Sequence, residues 1–376
     1  MTSASKSSPF DPTWPRPGRT RTGRGGNDPQ RAAGRHRPDR SGGRTPGHPV
    51  RSPRCRPARR SETWTRDPWA GEVHDGRLYG RGACDMKGGV AAIIGAVRAL
   101  AAAGDLDRLE GSLQVVLVPS EEDGGQGTLA AIRAGASADA AIITEPTNLD
   151  VVVAHAGAIT FRLTVPGRAA HASQRREGVS ALDKLFVLAR ALEADEACRN
   201  AAESDPLMAA LGLPYPTIIG IVGGGEWAST VLDRIVADGR YGVRLGQTPA
   251  DAEAELRAGD RCRLCRGRVP ARASRDGRDH GRAIGSSRVS TDDPLPVGLA
   301  EVIQSTTGRT PDLIGEPYGA DMQLFVNVGG TPCVMFGPGD VRHAHSADEF
   351  VPLEEVETCA RVLAAWVRRE VGARGA

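Results

Sequence analysis

LYGRGACDMKGGVAAIIGAVRALAAAG, residues 78–104, indicates the fold class of this 376-residue chain. Its second part, 88–104, is rich in alanine and apolar residues and predicts a helix. The runs at 112–118 and 139–145 are short, apolar and followed by polar residues, which predicts strands. Strands that alternate with helices are typical of an α/β domain with a mixed, mostly parallel sheet.

A second pattern begins near residue 158. A strand over 159–165, a helix over 178–194 and strands near 216–222 and over 234–245 predict a smaller α+β domain. We therefore expect this domain, residues 158–283, to be inserted into the first.

The α/β pattern returns after the insertion. A helix over 294–307, a strand over 331–337 and a long helix over 352–370 complete the first domain. That domain is therefore predicted to comprise residues 61–157 and 284–376.

The overall composition excludes several classes of protein. The net charge of +2 gives no reason to expect a polyanionic partner, and no apolar run is long enough to span a membrane. The beginning of the chain has no apolar signal core, so we expect a cytoplasmic protein. The seven scattered cysteines do not suggest a disulfide framework, and Cys262 and Cys265 have no second pair at zinc-finger spacing.

Two segments differ from the rest of the chain. Residues 1–60 and 258–283 are rich in arginine, and neither shows the apolar periodicity of a helix or a strand. One interpretation of the first segment is a basic arm that binds nucleic acid. That arm would be expected to interleave lysines with aromatic residues, which this segment does not do, so we expect no nucleic-acid partner.

Acidic and imidazole side chains mark a candidate site. Asp85 precedes a predicted helix, Glu121 and Glu122 follow one predicted strand, and Glu145 ends another. His345 lies in the loop FGPGDVRHAHSADEF. Carboxylates and an imidazole suit Zn²⁺, and a neighbouring glutamate can act as general base. Each residue alone would more often be a cap or a solvated loop residue, so the prediction depends on all of them occurring together.

The motifs GRGACDMKGG, PSEEDGG, TEPT and GPG-x5-HSADEF resemble those of the M20 peptidase and deacylase family. The resemblance is to the acetylornithine deacetylase and succinyl-diaminopimelate desuccinylase branch, and it covers about 61–257 and 285–371. It implies a zinc-dependent enzyme that hydrolyses the amide bond of an N-acyl amino acid or short peptide. Two Zn²⁺ ions per subunit are implied, with Co²⁺ or Mn²⁺ as substitutes.

The resemblance also implies roles for individual residues. Asp85 would bridge the two zinc ions, Glu122 and His345 would complete one site, and Glu145 would hold the other. Glu121 would be the general base.

The inserted domain resembles the lid and dimerisation domain of the same family. His171 in GRAAHAS corresponds to a histidine that stabilises the oxyanion across a homodimer interface. Arg240 in DGRYGV corresponds to an arginine that binds a substrate carboxylate, which its planar guanidinium suits. Thr230 and Leu232 occupy positions where the family has Asn and Pro, so that part of substrate binding differs.

One motif of the family is missing. An H-x-D-x-x-P motif should precede Trp64, but neither His48 nor His74 has an aspartate two residues later. Codons permitted for residues 51–56, read one base later, encode Gly-His-Leu-Asp-Val-Val before Pro57, and residues 45–50 likewise permit an apolar strand. Residues 258–281 permit a helix end, a loop and a strand. We interpret 1–60 and 258–283 as out-of-frame segments; the alternative is a metal-poor, inactive remnant.

Overall fold

The computed structural model describes residues 63–122, 124–264 and 283–372, with the side chains of 259–264 excepted. The predicted out-of-frame segment 1–60 lies outside these residues, as does most of the second segment. The expected mixed α/β architecture is confirmed, and the chain forms three sheets among the described residues.

The main sheet contains five strands. These are β3 (Ala141–Ile143), β4 (Val151–His155), β9 (Ser287–Arg288), β10 (Leu313–Glu316) and β11 (Cys333–Met335). Their order is β10-β4-β11-β3, and β9 pairs with β4. The β10–β4 and β11–β3 pairs are parallel, whereas β4 is antiparallel to β11 and β9. Every residue of β4 is buried, as expected for a strand covered on both faces.

Three long helices cover this sheet: α1 (Gly88–Ala102), α6 (Pro294–Thr307) and α8 (Leu353–Val371). Ala92, Ala96 and Leu100 form a buried stripe on α1, because residues four positions apart lie on one face of a helix. This stripe shares a core with buried residues of α6 and α8 and with Val151 and Val153 of β4. All three predicted helices are confirmed to within a few residues.

The strand predicted at 112–118 is not observed. This segment lies between the short 3₁₀ helix Leu106–Arg108 and helix α2 (Gln126–Arg133). Among the described residues it pairs with no strand. Val115, Val116 and Leu117 are 38–58% exposed, which is unusual for an apolar run in an α/β domain. A strand needs a hydrogen-bonded neighbour, and the apolar strand permitted by a shifted frame of residues 45–50 lies outside the described residues.

The segment predicted to be an inserted domain contains most of a four-stranded antiparallel sheet. It comprises β5 (Gly157–Pro166), β6 (Thr217–Gly224), β7 (Arg234–Val243) and β8 (Ala283–Ile284), in the order β6-β7-β5-β8. The pairing of β5 with β7 runs without interruption from Gly157↔Val243 to Pro166↔Arg234. Alternate residues of β5 are buried, and they pack against helices α3 (Ala181–Ala201) and α5 (Pro249–Leu264).

Smaller elements complete the chain. Strands β1 (Glu72–His74), β2 (Arg77–Tyr79) and β12 (Phe350–Pro352) form the third sheet, and α4 (Pro206–Ala209) and α7 (Met322–Asn327) are short helices. Among the described residues, no helix has the length and apolar character required to cross a membrane.

Candidate metal centre

Asp85 is held in place by a buried ion pair. The carboxylate of Glu349 accepts hydrogen bonds from the backbone N–H groups of Cys84, at 3.1 Å, and Asp85, at 3.2 Å. The other oxygen of Glu349 accepts from Nη1 of Arg81 at 2.7 Å, and both charged side chains are buried. Because a buried charge is stable only when it is paired, the Arg81–Glu349 pair fixes the turn that carries Asp85. The peptide bond between Asp85 and Met86 is cis.

Asp85, Glu122 and His345 form one cluster. Nε2 of His345 lies 2.9 Å from Oδ2 of Asp85 and 2.8 Å from Oε1 of Glu122. One ligand atom from each residue lies within 4.8 Å of the others. Hydrogen bonds to the two carboxylates raise the pKa of His345 to about 10. Two carboxylates that attract one positive charge, together with an imidazole nitrogen, form a donor set that fits a zinc ion.

Two loop residues at the site have left-handed backbone conformations. His345 has φ 59° and Ser120, which precedes Glu121, has φ 63°. Such conformations are unfavourable for residues other than glycine and occur preferentially at functional sites, where surrounding contacts enforce them. They direct the His345 loop and the Glu121-Glu122 loop toward the same point.

The charges of the cluster act on two further carboxylates, half-buried Glu121 and buried Glu145. Burial and the charges of Asp321, Asp85 and Glu122 raise the pKa of Glu121 to about 8. Glu145 is almost completely buried, and burial followed by the charge of Asp85 raises its pKa well above the usual range. Partly buried carboxylates that lie close together repel each other, and a bound divalent cation would offset that repulsion.

Asp321 is a member of the site that sequence reasoning missed. It is buried, it accepts a hydrogen bond from Oγ1 of Thr128 at 2.5 Å, and its charge contributes to the raised pKa values of Glu121 and Glu145. A Cβ atom at Gly125 would lie 2.1 Å from its carboxylate, so the Gly turn after Glu122 accommodates it. Asp321 follows the strand β10 (Leu313–Glu316), which was not predicted from the sequence, so its position at a strand end was not recognised.

The structure gives the surroundings of the two residues predicted to lie in a lid, His171 and Arg240. His171 is exposed, and its Nδ1 atom lies 2.9 Å from the hydroxyl of Ser173. The guanidinium of Arg240 is mostly buried and donates from Nη2 to the backbone oxygen of Pro317 at 3.1 Å, while its Nε has no hydrogen-bond partner among the described residues. The described contacts join neither residue to Asp85, Glu122 or His345.

Among the described residues, the structure therefore assembles one group of three possible metal ligands. Asp85, Glu122 and His345 come together as a group that could hold a metal, while Glu145 lies outside the 4.8 Å group. Among the described residues, no histidine accompanies Glu145 in the way that His345 accompanies Glu122.

A comparison with protein families matches residues 57–369 to peptidase family M20/M25/M40. The match begins directly after residues 51–56, where the H-x-D motif is missing. An acetylornithine deacetylase from Myxococcus xanthus is 29% identical over 304 residues, which are 80% of this chain and 74% of the relative. An acetylornithine deacetylase from Yersinia pestis is 30% identical over 302 residues, 78% of this chain and 71% of the relative.

Solved structures show the same fold at lower identity. The M20 family metallo-carboxypeptidase Sso-CP2 from Sulfolobus solfataricus has a TM-score of 0.61 and 16% identity, covering 82% of this chain and 80% of that one. Human carnosine dipeptidase 1 has a TM-score of 0.63 and 17% identity, covering 83% and 77%. The family match spans most of the chain and agrees with the motifs around Asp85, Glu122 and His345. The chain therefore belongs to peptidase family M20/M25/M40 and is a hydrolytic enzyme.

Proposed function

We propose that this enzyme hydrolyses the amide bond of N-acyl amino acids in the manner of an acetylornithine deacetylase. The observation that carries the proposal is the Asp85–Glu122–His345 group with Glu121 next to it. Several relatives that share about 30% identity with the chain are named acetylornithine deacetylase, which supports the substrate class.

The residues of the cluster fit zinc as the resident metal, with Co²⁺ or Mn²⁺ as substitutes. Glu122 and His345 would hold one ion, Glu145 would hold part of a second, and Asp85 would bridge the two. Bound metal would supply a water of lowered pKa and polarise the amide carbonyl.

Glu121 is the proposed general base. Its neighbour Glu122 contacts His345, whereas the half-buried Glu121 carboxylate is close enough to Asp85 and Glu122 to be influenced by their charges. It would accept the proton of the attacking water and deliver that proton to the leaving amine, since one carboxylate can serve both steps in turn.

Two lid residues are proposed to complete substrate binding. Arg240 would bind the α-carboxylate of the substrate, since its buried guanidinium has an Nε without a partner among the described residues. His171 would stabilise the oxyanion from the lid of a second subunit, which agrees with its exposure on its own chain.

A homodimer through the lid is part of this proposal. Strand β6 is an edge strand of the lid sheet, and Ile218, Ile221 and Val222 on it are 54–61% exposed. Phe186 and Val187 of helix α3 are 60% and 61% exposed. An unpaired edge strand beside exposed apolar side chains is typical of a surface that pairs with another chain. The expected cytoplasmic location remains a prediction.

The alternative function is that of a metal-poor, inactive remnant. The H-x-D-x-x-P motif is missing from the sequence, and the segment 112–118 has no partner strand among the described residues. Loss of a direct metal ligand should reduce metal affinity or activity by at least the roughly 10- to 100-fold that follows loss of an outer-shell partner.

We also propose that residues 1–60 and 258–283 are read out of frame. Two observations support this: residues 115–117 are exposed where a neighbouring strand would cover them, and the family match begins at residue 57. The nucleotide sequence of the gene tests the proposal, because only some codon choices encode the shifted peptides. Codons that cannot encode Gly-His-Leu-Asp-Val-Val in the shifted frame would contradict it.

Zinc content and turnover test the proposed function. The purified chain and a chain expressed from a frame-corrected gene are assayed with N-acetyl, N-succinyl and dipeptide substrates, including N-acetylornithine. We expect the frame-corrected enzyme to bind two zinc ions and to release ornithine. The chain with the printed sequence should bind less zinc and hydrolyse the substrates more slowly. Two zinc ions and full turnover in the chain with the printed sequence would rule out the alternative of a metal-poor, inactive remnant. A frame-corrected enzyme that cleaves no amide would contradict the deacylase proposal.

A further inference from the structure

The hydroxyl of Tyr318 is buried and has no hydrogen-bond partner among the described residues. Tyr318 follows β10 in the turn 317–320, and its ring packs against the apolar cluster that includes Val152 and Met335. The ring is therefore anchored in the core, while its polar end has no partner.

An orphaned buried hydroxyl requires an explanation. Leaving such a group without a hydrogen bond costs about 1–3 kcal/mol, and most buried polar side-chain atoms in proteins have a partner. Phenylalanine would fill the same space without this cost. A tyrosine at this position is consistent with a partner that arrives with the substrate.

The surroundings of the hydroxyl are those of the candidate metal centre. Burial raises the pKa of Tyr318 well above its usual range, followed by the charges of Glu316, Glu145 and Asp85. The phenol therefore stays protonated and can donate its hydrogen. Because no acceptor among the described residues lies within hydrogen-bond distance, this donor is available to an acceptor that the substrate supplies.

The turn that carries Tyr318 also connects the lid with the general base. Arg240 of the lid donates to the backbone oxygen of Pro317, one residue before Tyr318. Asp321, three residues after Tyr318, lies against Gly125 in the loop of Glu121. The turn that carries Tyr318 is thus in contact with the proposed carboxylate-binding arginine at one end and with the loop of the proposed general base at the other.

We propose that the Tyr318 hydroxyl binds the substrate by donating a hydrogen bond to the carbonyl oxygen of the scissile amide. This inference rests on the proposed amide hydrolysis and adds a residue to it. The carbonyl oxygen gains negative charge as water attacks, so the hydrogen bond strengthens toward the transition state. Removing the hydroxyl should therefore lower kcat more than it raises KM.

The test is Tyr318→Phe in the frame-corrected enzyme, measured with N-acetylornithine and by thermal unfolding. We expect kcat to fall roughly 100- to 1,000-fold with KM changed less than about threefold, by analogy with the loss of an oxyanion donor. The unfolding temperature should stay equal or rise, since the substitution removes an unpaired buried hydroxyl. A merely structural hydroxyl would instead leave kcat unchanged.

The control is Tyr241→Phe. The Tyr241 hydroxyl donates to Asp195 at 3.0 Å within the lid, so its removal should lower stability and leave kcat unchanged. Equal kcat in the frame-corrected enzyme with and without Tyr318→Phe would overturn the inference. A fall in kcat that is explained by a loss of zinc or of folded protein would also overturn it.

Failure of the proposed function has a separate signature. If the wild-type enzyme hydrolyses no amide, the proposed function fails, and calorimetric binding of N-acetylornithine then tests Tyr318. Binding that weakens about 5- to 10-fold in Tyr318→Phe, the size of one net hydrogen bond, would support the inference. Binding that is unchanged, or absent in the wild type, would overturn it.

Discussion

Nε2 of His345 lies 2.9 Å from Oδ2 of Asp85, although 260 positions separate the two residues in the chain. The contact joins the loop before β12 to the turn before α1. It brings an imidazole nitrogen and a carboxylate to the distance at which both could bind one ion.

The first prediction concerns this contact. His345→Asn should lower zinc content and reduce kcat/KM by at least about 10- to 100-fold, because it removes a direct metal ligand. Metal analysis and turnover of N-acetylornithine measure both effects. His343→Asn is the matched control, since His343 lies outside the ligand group and its ring contacts that of Phe350, with the ring centroids 4.3 Å apart. Equal zinc loss in the two variants would contradict the assignment.

Glu121 and Glu122 should have separable roles. Glu121→Gln should keep its zinc while kcat falls by about 10²- to 10⁴-fold, because the amide cannot transfer the proton. Glu122→Gln should lose zinc, since Glu122 contacts His345 at 2.8 Å. Metal content and kcat measured on the same preparations distinguish the two. If Glu121→Gln also loses its metal, Glu121 is a ligand and not the base.

Glu316 should make stability depend on pH. Burial, followed by the charge of Asp340, raises the pKa of Glu316 to about 7 in the folded protein, above the usual 4.5. The carboxyl group binds its proton more tightly in the folded state. Its contribution to the free energy of unfolding is therefore fully present below about pH 4.5 and is lost as the pH rises through about 7.

Glu316→Gln removes that contribution. Relative to the variant, the wild-type protein should lose stability between about pH 5 and 7, by at most about 1.4 kcal/mol per pH unit. Urea unfolding at pH 5, 6, 7 and 8 measures the difference. Parallel stability curves for the two proteins would show that Glu316 does not titrate in this range.

The Arg81–Glu349 pair should dominate local stability. Glu349→Ala should destabilise the protein by about 3–5 kcal/mol, because it leaves a buried guanidinium unpaired and removes the acceptor of two backbone N–H groups. Arg190→Ala is the control, since the exposed Arg190–Glu193 pair should contribute less than about 1 kcal/mol. Denaturant unfolding compares them, and similar losses would contradict the argument.

The lid surface should control assembly. Phe186→Asp should convert a dimer to a monomer, because a charge in a buried apolar interface is costly. Light scattering after gel filtration measures the mass. Trp69→Asp is the control, since Trp69 is 63% exposed and lies outside the predicted lid segment 158–283. A dimer that persists in Phe186→Asp, or a wild-type monomer, would exclude this interface.

Much of the fold could be predicted from local patterns. The helix predicted at 294–307 is observed as Pro294–Thr307, because helical hydrogen bonds form within the segment itself. Strands depend on partners elsewhere in the chain. The apolar run 112–118 is as favourable for a strand as 139–145, yet only the second has a described partner, Cys333–Met335.

The same distinction applies to the site. The sequence by itself predicted Asp85, Glu122 and His345 as ligands, because each lies in a short motif typical of the family, and the structure brings the three together. The roles proposed for Asp321 and Tyr318 rest on burial and on contacts between distant segments, which only the tertiary structure shows. Motifs record which chemical groups are present, whereas folding sets the distances and the exclusion of water that govern their interaction.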